Sequence, residues 1–341
     1  MVGVAIRIVV VGLVSMACWG CAAGVAERRF EYARVCMGVR ATVTLYAVDE
    51  GRAEAAAARA FARIGELDDA MSDYRAGSEV MRLCGRAGEA VGVSEDLFKV
   101  LTEAARVSEA SGGAFDVTMG PAVALWRRAR RTGGLPEARE IDGARPLVDW
   151  RLVELSKEER TVRLRREGMR LDLGGIAKGY AAERAVEVLR GEGLSRCMVA
   201  LAGDMYVGDP PPGKEGWLIA IETERSGRRM GAVMLKNAAV STSGDTEQFV
   251  EVGGVRSSHI IDPRTLLGVT TRRCAAVVSR HGAWADALAT AVSVLGAEKS
   301  REMIGRFAGT GAVVEEGAAE AGGRPGRTVI DPGGVVGSWW R

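Results

Sequence analysis

The chain has 341 residues and a formal net charge of +2, from 46 lysines and arginines against 44 aspartates and glutamates. Hydrophobic residues make up 47% and charged residues 26%, a composition typical of a globular protein with a sizeable core. A charge balance this close to neutral argues against a nucleic-acid-binding protein that works through a basic surface. The presence of only two histidines excludes a histidine-rich metal site.

The chain begins with a segment typical of secretory signals. Arg7 precedes an uncharged, mostly apolar run over residues 8–26, and small residues follow the apolar part. This layout predicts a signal peptide over residues 1–20, and hence export to the periplasm or the outer face of the inner membrane. An uncleaved membrane anchor stays open, because the run is near the lower limit of about 20 apolar residues for a spanning helix. Cys21, ahead of Cys18, is the favoured position for lipid attachment after cleavage.

The sequence pattern of the next part of the chain predicts a β-rich stretch followed by helices. Residues 30–48 are β-rich and are interrupted at Met37-Gly38. The helical pattern then predicts three helices, namely Asp49 to about Met71, a run capped by Ser94 and ended by Gly112-Gly113, and a run started by Pro121. The arginine-rich, glycine-punctuated stretch 127–145 is predicted to be a solvated surface connection rather than an anion-binding patch.

The second half of the chain alternates strand-like and helical segments. The predicted elements are strands near 150–155 and 160–166, a helix at 176–190, a strand at 196–202, the strand-like segments WLIAIE, AVMLKNAAV, EQFVEV and VRSSHII, a strand at 273–279 and the helix WADALATAVSVLG. Gly253-Gly254 predicts a two-residue hairpin turn. Hairpins beside helices predict an α+β fold of mixed, largely antiparallel sheets with packed helices, rather than a doubly wound parallel sheet. The Gly- and Glu-rich tail, 311–341, is expected to be partly loose.

Four cysteines lie beyond the predicted signal region. They are scattered, without a CxxC pair, at Cys36, Cys84, Cys197 and Cys274. Such spacing favours small buried hydrophobic side chains over a disulfide framework or a metal site.

The segment DLGGIAKGY, residues 172–180, combines an acidic strand end, two glycines and the start of a helix. Free N–H groups at a helix N-terminus suit a phosphate, and Lys178 in the first turn would add a full positive charge. The segment matches neither GxGxxG nor a Walker motif, which argues against Rossmann and P-loop folds. A glycine-rich turn that only packs a helix on a sheet is the alternative interpretation.

Asp286 and Thr290, in the segment ADALAT, stand four residues apart on a predicted helix and therefore share one face. A carboxylate and a hydroxyl are hard oxygen ligands that suit Mg²⁺, which takes few protein ligands beside substrate phosphates. Taken alone, the same pair is also compatible with a solvated helix face.

His259, in the segment HIIDPRT, comes at the end of a predicted strand, where an Asp-Pro turn begins. This position makes it a candidate for proton handling or ligand positioning, and a histidine bonded within the turn is the alternative. Met and aromatic residues upstream could sandwich a flat ring, although such residues also fill cores.

Together and in this order, these segments resemble the ApbE family of FAD:protein FMN transferases. The motifs that carry the resemblance are MGxxxxV, MSxYxxxSEV, GGAFDVTMGPxxxLW, LDLGGIAKGY, ALAGD, STSGD, HIIDPRT and ADALAT. The resemblance covers nearly the whole mature chain and implies a single ApbE-like catalytic unit over residues 28–310.

The resemblance implies an exported or membrane-anchored enzyme that uses Mg²⁺ and FAD. Such enzymes attach FMN through a phosphoester to a Thr or Ser of an acceptor protein, typically a membrane redox subunit or a secreted flavoprotein, and release AMP. No nucleic-acid partner is implied. Two alternatives stay open: an FAD pyrophosphatase, in which water replaces the protein hydroxyl, and a non-enzymatic exported lipoprotein that only binds flavin.

The resemblance also assigns residues to the parts of FAD. Those matched to the flavin and adenine ends are Met37, Tyr74, Ala114, Phe115 and Asp116. Those matched to the phosphates and the metal are Asp172, Lys178, His259, Asp286 and Thr290, with a backbone oxygen near Gly175 as a further magnesium ligand. His259 and Asp286 are the candidate catalytic residues, and His259 or a nearby carboxylate would accept the proton of the acceptor hydroxyl.

The chain departs from the family pattern in three places. Ala202 replaces the first glycine of the usual GGD. Leu266 replaces the glycine that usually follows DPRT, and it would be strained if the turn there is left-handed. The leucine that usually precedes a lipidated cysteine by three positions is missing before both Cys21 and Cys18.

Overall fold

The computed structural model describes residues 26–223, 228–244, 249–252, 255–258, 260–317 and 326–336. The predicted signal peptide with Cys18 and Cys21, the Gly253-Gly254 turn and His259 lie outside these residues. Within the described part of the chain, no helix is long and apolar enough to cross a membrane. The cysteines that it contains are free thiols, buried or half-buried.

The described residues form eight α-helices and three short 3₁₀ turns. The helices are α1 (Glu50–Met71), α2 (Glu79–Cys84), α3 (Glu95–Ala110), α4 (Gly120–Thr132), α5 (Ala138–Ala144), α6 (Ala177–Gly191), α7 (Gly282–Leu295) and α8 (Ala297–Gly305). The predicted Ser94 cap of α3 is confirmed, because Ser94 accepts a hydrogen bond from the Leu97 N–H at 3.2 Å. Asp49, predicted as the first residue of α1, caps that helix by accepting a hydrogen bond from the Arg52 N–H at 2.7 Å.

Strands are distributed along the whole described chain. They are β1 (Arg28–Cys36), β2 (Val39–Ala47), β3 (Val91–Gly92), β4 (Val153–Ser156), β5 (Thr161–Leu164), β6 (Cys197–Leu201), β7 (Asp204–Val207), β8 (Trp217–Thr223), β9 (Arg228–Leu235), β10 (Ala238–Gly244), β11 (Phe249–Val252), β12 (Val255–Ser258), β13 (Ile261–Asp262), β14 (Leu267–Gly268), β15 (Arg273–Ser279), β16 (Gly311–Glu316) and β17 (Gly326–Ile330).

The main sheet has eight strands in the order β1-β2-β6-β7-β10-β15-β16-β17. Every neighbouring pair in it is antiparallel, as are the pairs of the smaller sheets. This confirms the predicted α+β fold with largely antiparallel sheets.

Both faces of the main sheet are covered. On one face, α1, α6 and α7 pack against strands of the main sheet in the larger core cluster, which includes Leu45, Ile64, Val186 and Leu288. On the other face, residues of β6, β7 and β10 pack against the β8–β9 hairpin in a second cluster around Trp217. Because both faces are covered, β6 is buried along its whole length, which explains its continuous apolar sequence.

Tight turns at one end of the sheet use left-handed backbone conformations. Met37 and Gly38 have φ values of 50° and 73° and join β1 to β2, so the predicted interruption is a two-residue hairpin turn. Ala202, with φ 52°, begins the turn from β6 to β7. A glycine would adopt this conformation without the Cβ penalty, so Ala202 is the less favourable residue there.

Two predictions of local structure were wrong, and the described part of the tail forms two strands. The segment AVMLKNAAV spans two strands of different sheets, because Asn237 (φ 50°) makes a turn between β9 and β10. The stretch 127–145 is not one loop: α4 continues to Thr132 and α5 follows. The tail contributes β16 and β17 to the main sheet, where the apolar residues of GAVVEE are buried.

Helices α6 and α7 cross at two glycines. A Cβ on Gly179 would lie 2.2 Å from the Gly282 carbonyl oxygen, and a Cβ on Gly282 would lie 2.0 Å from the Gly179 carbonyl oxygen. Neither position tolerates a larger residue, because backbone atoms cannot move aside as a side chain can. This crossing brings Asp286 of α7 against the first turns of α6, since the same Gly179 Cβ would lie 2.7 Å from the Asp286 Cβ.

We predict that Gly179→Ala lowers the free energy of unfolding by about 1–3 kcal/mol or more, the scale of overpacking a core. The matched control is Gly65→Ala in α1, where an added Cβ meets nothing within 4 Å. That control should be neutral or more stable by up to about 1 kcal/mol, because alanine favours helix over glycine. Denaturant unfolding measures the free energy of unfolding of both variants. Equal stability of the two variants would contradict the close contact of α6 and α7 at Gly179.

Candidate functional site

The candidate site lies at the end of the main sheet where two turns meet. The Ala202 N–H donates to the Arg40 carbonyl at 3.3 Å, beside the Met37-Gly38 turn. The Thr242 N–H of β10 donates to the Gly203 carbonyl at 3.2 Å. The turns of β1–β2 and β6–β7 therefore lie side by side with the last residues of β10, and the start of α6 faces them.

Lys178 is the centre of a buried ion cluster. Its Nζ lies 2.9 Å from Asp204 Oδ2 and 3.7 Å from Asp286 Oδ2, and it donates to the Gly174 carbonyl at 2.9 Å. Ser241 Oγ donates a further hydrogen bond to Asp204. The cluster joins β7, β10, α6, α7 and the turn before α6 through one ammonium group.

Asp286 has a carboxylate that is fixed from two directions. Its Oδ2 accepts a hydrogen bond from the Gly179 N–H at 2.9 Å and also faces Lys178. Burial raises the pKa of Asp286 above its usual range, and the nearby Asp204 raises it further, against the opposing effect of Lys178. Burial alone would lower the pKa of Lys178, but the carboxylates of Asp204 and Asp286 outweigh it and raise that pKa.

The Gly174-Gly175 turn forms the second part of the site. The Asp172 Oδ1 accepts a hydrogen bond from the Gly174 N–H at 2.8 Å, which fixes the entry to the turn. A Cβ on Gly175 would lie 3.1 Å from Thr290 Oγ1 and 3.3 Å from Phe115 Cε2. The structure therefore places Gly175, Thr290 and Phe115 together, although these residues are far apart in sequence.

Arg127, on α4, forms the third part of the site. Its guanidinium lies 3.0 Å from Asp172 Oδ2, hydrogen-bonds Asp73, and stacks over Tyr74 with 4.2 Å between the guanidinium carbon and the ring centre. Tyr74 is 77% exposed. The sequence interpretation placed Arg127 at the start of a solvated connection, and it was wrong for this residue.

Three other predicted residues have clear places in the structure. Asp116 is buried and accepts hydrogen bonds from the Thr118 N–H at 2.7 Å, the Thr118 hydroxyl at 2.6 Å and the Trp150 N–H at 2.9 Å. These bonds give it a structural role, and contact with FAD stays a prediction. Ala114 is buried in a small apolar cluster. Met37 is half-buried in the turn beside the site.

Two residues that the sequence analysis did not select are part of the site. Asp204 pairs with Lys178, and Ser241 hydrogen-bonds Asp204 from its antiparallel partner position on β10. The motifs ALAGD and STSGD contain both residues, so a signal was present. The pairing of these motifs became visible only with the strand register.

The donor set fits a divalent cation. Four carboxylates, those of Asp73, Asp172, Asp204 and Asp286, are paired with only two cations, Arg127 and Lys178. Within the described ranges no three His, Cys, Asp or Glu residues are placed to hold a metal by themselves. A carboxylate and a hydroxyl beside a carbonyl-bearing turn suit Mg²⁺, which completes its coordination with water and phosphate oxygens.

Comparisons with known proteins agree on one family. The model of the ApbE family matches residues 37–314. An FAD:protein FMN transferase of Treponema pallidum (strain Nichols) is 30% identical over 311 residues, which cover 86% of each chain. One from Klebsiella pneumoniae (strain 342) is 32% identical over 243 residues, covering 70% of this chain and 73% of the relative. The apo form of the Pseudomonas stutzeri flavinyl transferase ApbE aligns with a TM-score of 0.78 at 26% identity, covering 92% of this chain and 98% of that one.

We predict that Lys178→Met lowers the free energy of unfolding by about 3–5 kcal/mol at pH 8, because two buried carboxylates lose their cation. The loss of unfolding free energy in Lys178→Met should be smaller at pH 5 than at pH 8. Without Lys178 the folded-state pKa of Asp286 rises further above its unfolded value, so the folded state takes up protons as the pH falls.

Denaturant unfolding at the two pH values measures this. Lys99→Met is the control, because Lys99 is exposed on α3 and should have little effect at either pH. A deficit of the same size at pH 5 and pH 8 would show that the loss comes from packing and not from charge.

Proposed function

The chain belongs to the ApbE family, and from that membership we propose that it is a Mg²⁺-dependent enzyme that joins FMN to a Thr or Ser hydroxyl of an acceptor protein. Transfer of FMN from FAD to a protein is the activity of its curated relatives, and it is the activity of this chain. The cation, the phosphoester bond and the Thr or Ser acceptor are the proposed additions.

In the proposed reaction the acceptor hydroxyl oxygen forms a bond to the FMN phosphorus of FAD. The bond between that phosphorus and the bridging oxygen breaks, and AMP leaves with the bridging oxygen. The hydroxyl proton passes to a base of the enzyme and then to solvent. His259 or a carboxylate of the site is the proposed base.

The observation that carries this proposal is the excess of negative charge beside the Gly174-Gly175 turn. Asp204 and Asp286 are both buried and share the single ammonium of Lys178. A pyrophosphate would be repelled by such a cluster, because like charges interact strongly where water is excluded. Asp286, Thr290 and the backbone at Gly175 would hold Mg²⁺, which when bound supplies positive charge to the pyrophosphate.

The role proposed for Lys178 differs from the phosphate contact that the sequence led us to expect. Lys178 is already engaged by two carboxylates and a carbonyl, so it holds Asp286 in place rather than reaching freely for a phosphate. The exposed Tyr74 ring provides a flat apolar surface for a ring system of FAD, and the buried Phe115 ring lies against the Gly175 turn.

We predict that Asp286→Asn lowers turnover by roughly 100-fold or more, the scale of removing one preorganised electrostatic group from a transition state. The asparagine still offers an oxygen to the Gly179 N–H, so folding is preserved. Thr290→Val should be milder, because water can replace a neutral hydroxyl ligand. The assay uses FAD and a Thr-bearing acceptor protein, read by in-gel flavin fluorescence and AMP release.

The matched control is Asp142→Asn on α5, whose carboxylate is exposed and 3.9 Å from Arg145. It should transfer FMN at the wild-type rate. Chelation of divalent cations should abolish transfer in the wild type without unfolding it. Wild-type transfer by Asp286→Asn would refute the metal assignment, and AMP release without a labelled acceptor would identify a pyrophosphatase.

We also propose that the enzyme works outside the cytoplasm, held at the membrane by a lipid on Cys21. The support is the sequence of residues 1–26, with one basic residue, an apolar run and small residues before Cys21. We expect the mature protein to begin at Cys21 and to require detergent for extraction, and Cys21→Ser should abolish that requirement. Mass spectrometry that finds an intact Met1 on the native protein would instead identify an uncleaved anchor.

A further inference from the structure

Tyr74 is an exposed aromatic residue that is held from one side only. The residue is 77% exposed, and the guanidinium of Arg127 lies over its ring. An exposed tyrosine ordinarily exchanges between rotamers, and a cation stacked on one ring face favours one of them. The opposite face of the ring therefore stays open to a planar ligand.

Arg127 is itself fixed in place. It hydrogen-bonds Asp73, the residue before Tyr74, and its Nη2 lies 3.0 Å from Asp172 Oδ2. Burial alone would lower the pKa of Arg127, but the two carboxylates outweigh it and keep the pKa above the usual range. The guanidinium is thus a permanent cation whose plane is fixed by hydrogen bonds from two of its nitrogens to two different carboxylates.

The same guanidinium connects the Tyr74 ring with the glycine turn of the site. Asp172 accepts from Arg127 through one carboxylate oxygen and from the Gly174 N–H through the other, at 3.0 and 2.8 Å. A displacement of Arg127 would therefore act on both the ring and the turn.

We propose that Arg127 is a positioning residue that holds the Tyr74 ring as a platform for a planar ring of FAD. The inference rests on the proposed function, because FAD supplies the ring. In the resulting stack, Tyr74 lies between the guanidinium and the ligand, so Arg127 acts through Tyr74 without touching FAD. The platform is already ordered before the ligand arrives, which lowers the entropic cost of binding.

A competing explanation is that Arg127 only neutralises Asp73 and Asp172. The two explanations differ for Arg127→Lys, which keeps a positive charge between the carboxylates but loses the planar group. They also differ in a double-mutant cycle with Tyr74→Leu, which removes the ring and leaves the ion pairs intact.

The experiment measures FAD affinity by flavin fluorescence for the full-length protein, with riboflavin and adenosine as separate probes. Arg127→Met and Arg127→Lys should each weaken FAD binding about five-fold, the scale of one cation–π contact with its ordering effect. Arg128→Met, which changes an exposed arginine at the next position that pairs with Glu140, should leave FAD affinity unchanged. If the affinity for riboflavin falls in parallel with that for FAD, the flavin ring stacks on Tyr74. If the affinity for adenosine falls instead, the adenine ring stacks there.

In the Tyr74→Leu background, Arg127→Lys should weaken FAD binding less than it does in the wild type, because only the effect through the Asp172 turn remains. An equal loss in both backgrounds, or full affinity in Arg127→Lys, would overturn the platform and leave only charge neutralisation. Because Arg127→Lys retains the charge, it decides the question even where Arg127→Met fails to fold. A wild type that binds FAD but labels no acceptor would refute the proposed transfer, and the affinities would still decide the role of Arg127.

Discussion

The arrangement of the site depends on one ammonium group shared by two buried carboxylates. Lys178 on α6 faces Asp204 from the sheet and Asp286 from α7, and each of these elements is held by the main core. The glycine crossing of α6 and α7 is what allows Asp286 to approach this closely. The cluster is therefore both a structural junction and the place where negative charge is concentrated, and that charge is the basis for proposing a divalent cation here.

Two of the residues that depart from the family pattern adopt left-handed backbone conformations. Ala202 and Leu266 have φ values of 52° and 61°, and a left-handed conformation costs a non-glycine residue roughly 1–2 kcal/mol. Leu266 offsets this cost by burying its side chain, and its carbonyl accepts a hydrogen bond from Trp126 Nε1 at 2.9 Å. The turn after the DPRT segment is thus left-handed without a glycine, which explains how the departure from the family pattern is tolerated.

Sequence alone predicted what depends on local chemistry. The start of α1, the Ser94 cap of α3, the interruption at Met37-Gly38 and the spacing of Asp286 and Thr290 all follow from residues within one or two helical turns. Prediction from sequence failed where interaction partners come from distant segments. Arg127 is an example, because the two carboxylates that it binds lie 54 and 45 residues away in the chain. The role of Asp204 likewise required knowing that β7 lies between β6 and β10. Long-range ion pairs leave no periodic pattern in the sequence.

The proposed function requires that this carboxylate-rich site accept a pyrophosphate only together with a divalent cation. Its most direct test is calorimetric titration of FAD and of riboflavin into the wild type, with Mg²⁺ and with EDTA at matched ionic strength. We predict that Mg²⁺ strengthens FAD binding by about ten-fold or more, while riboflavin binding is unchanged, because riboflavin carries no phosphate. FAD binding that is equally tight in EDTA would contradict the account.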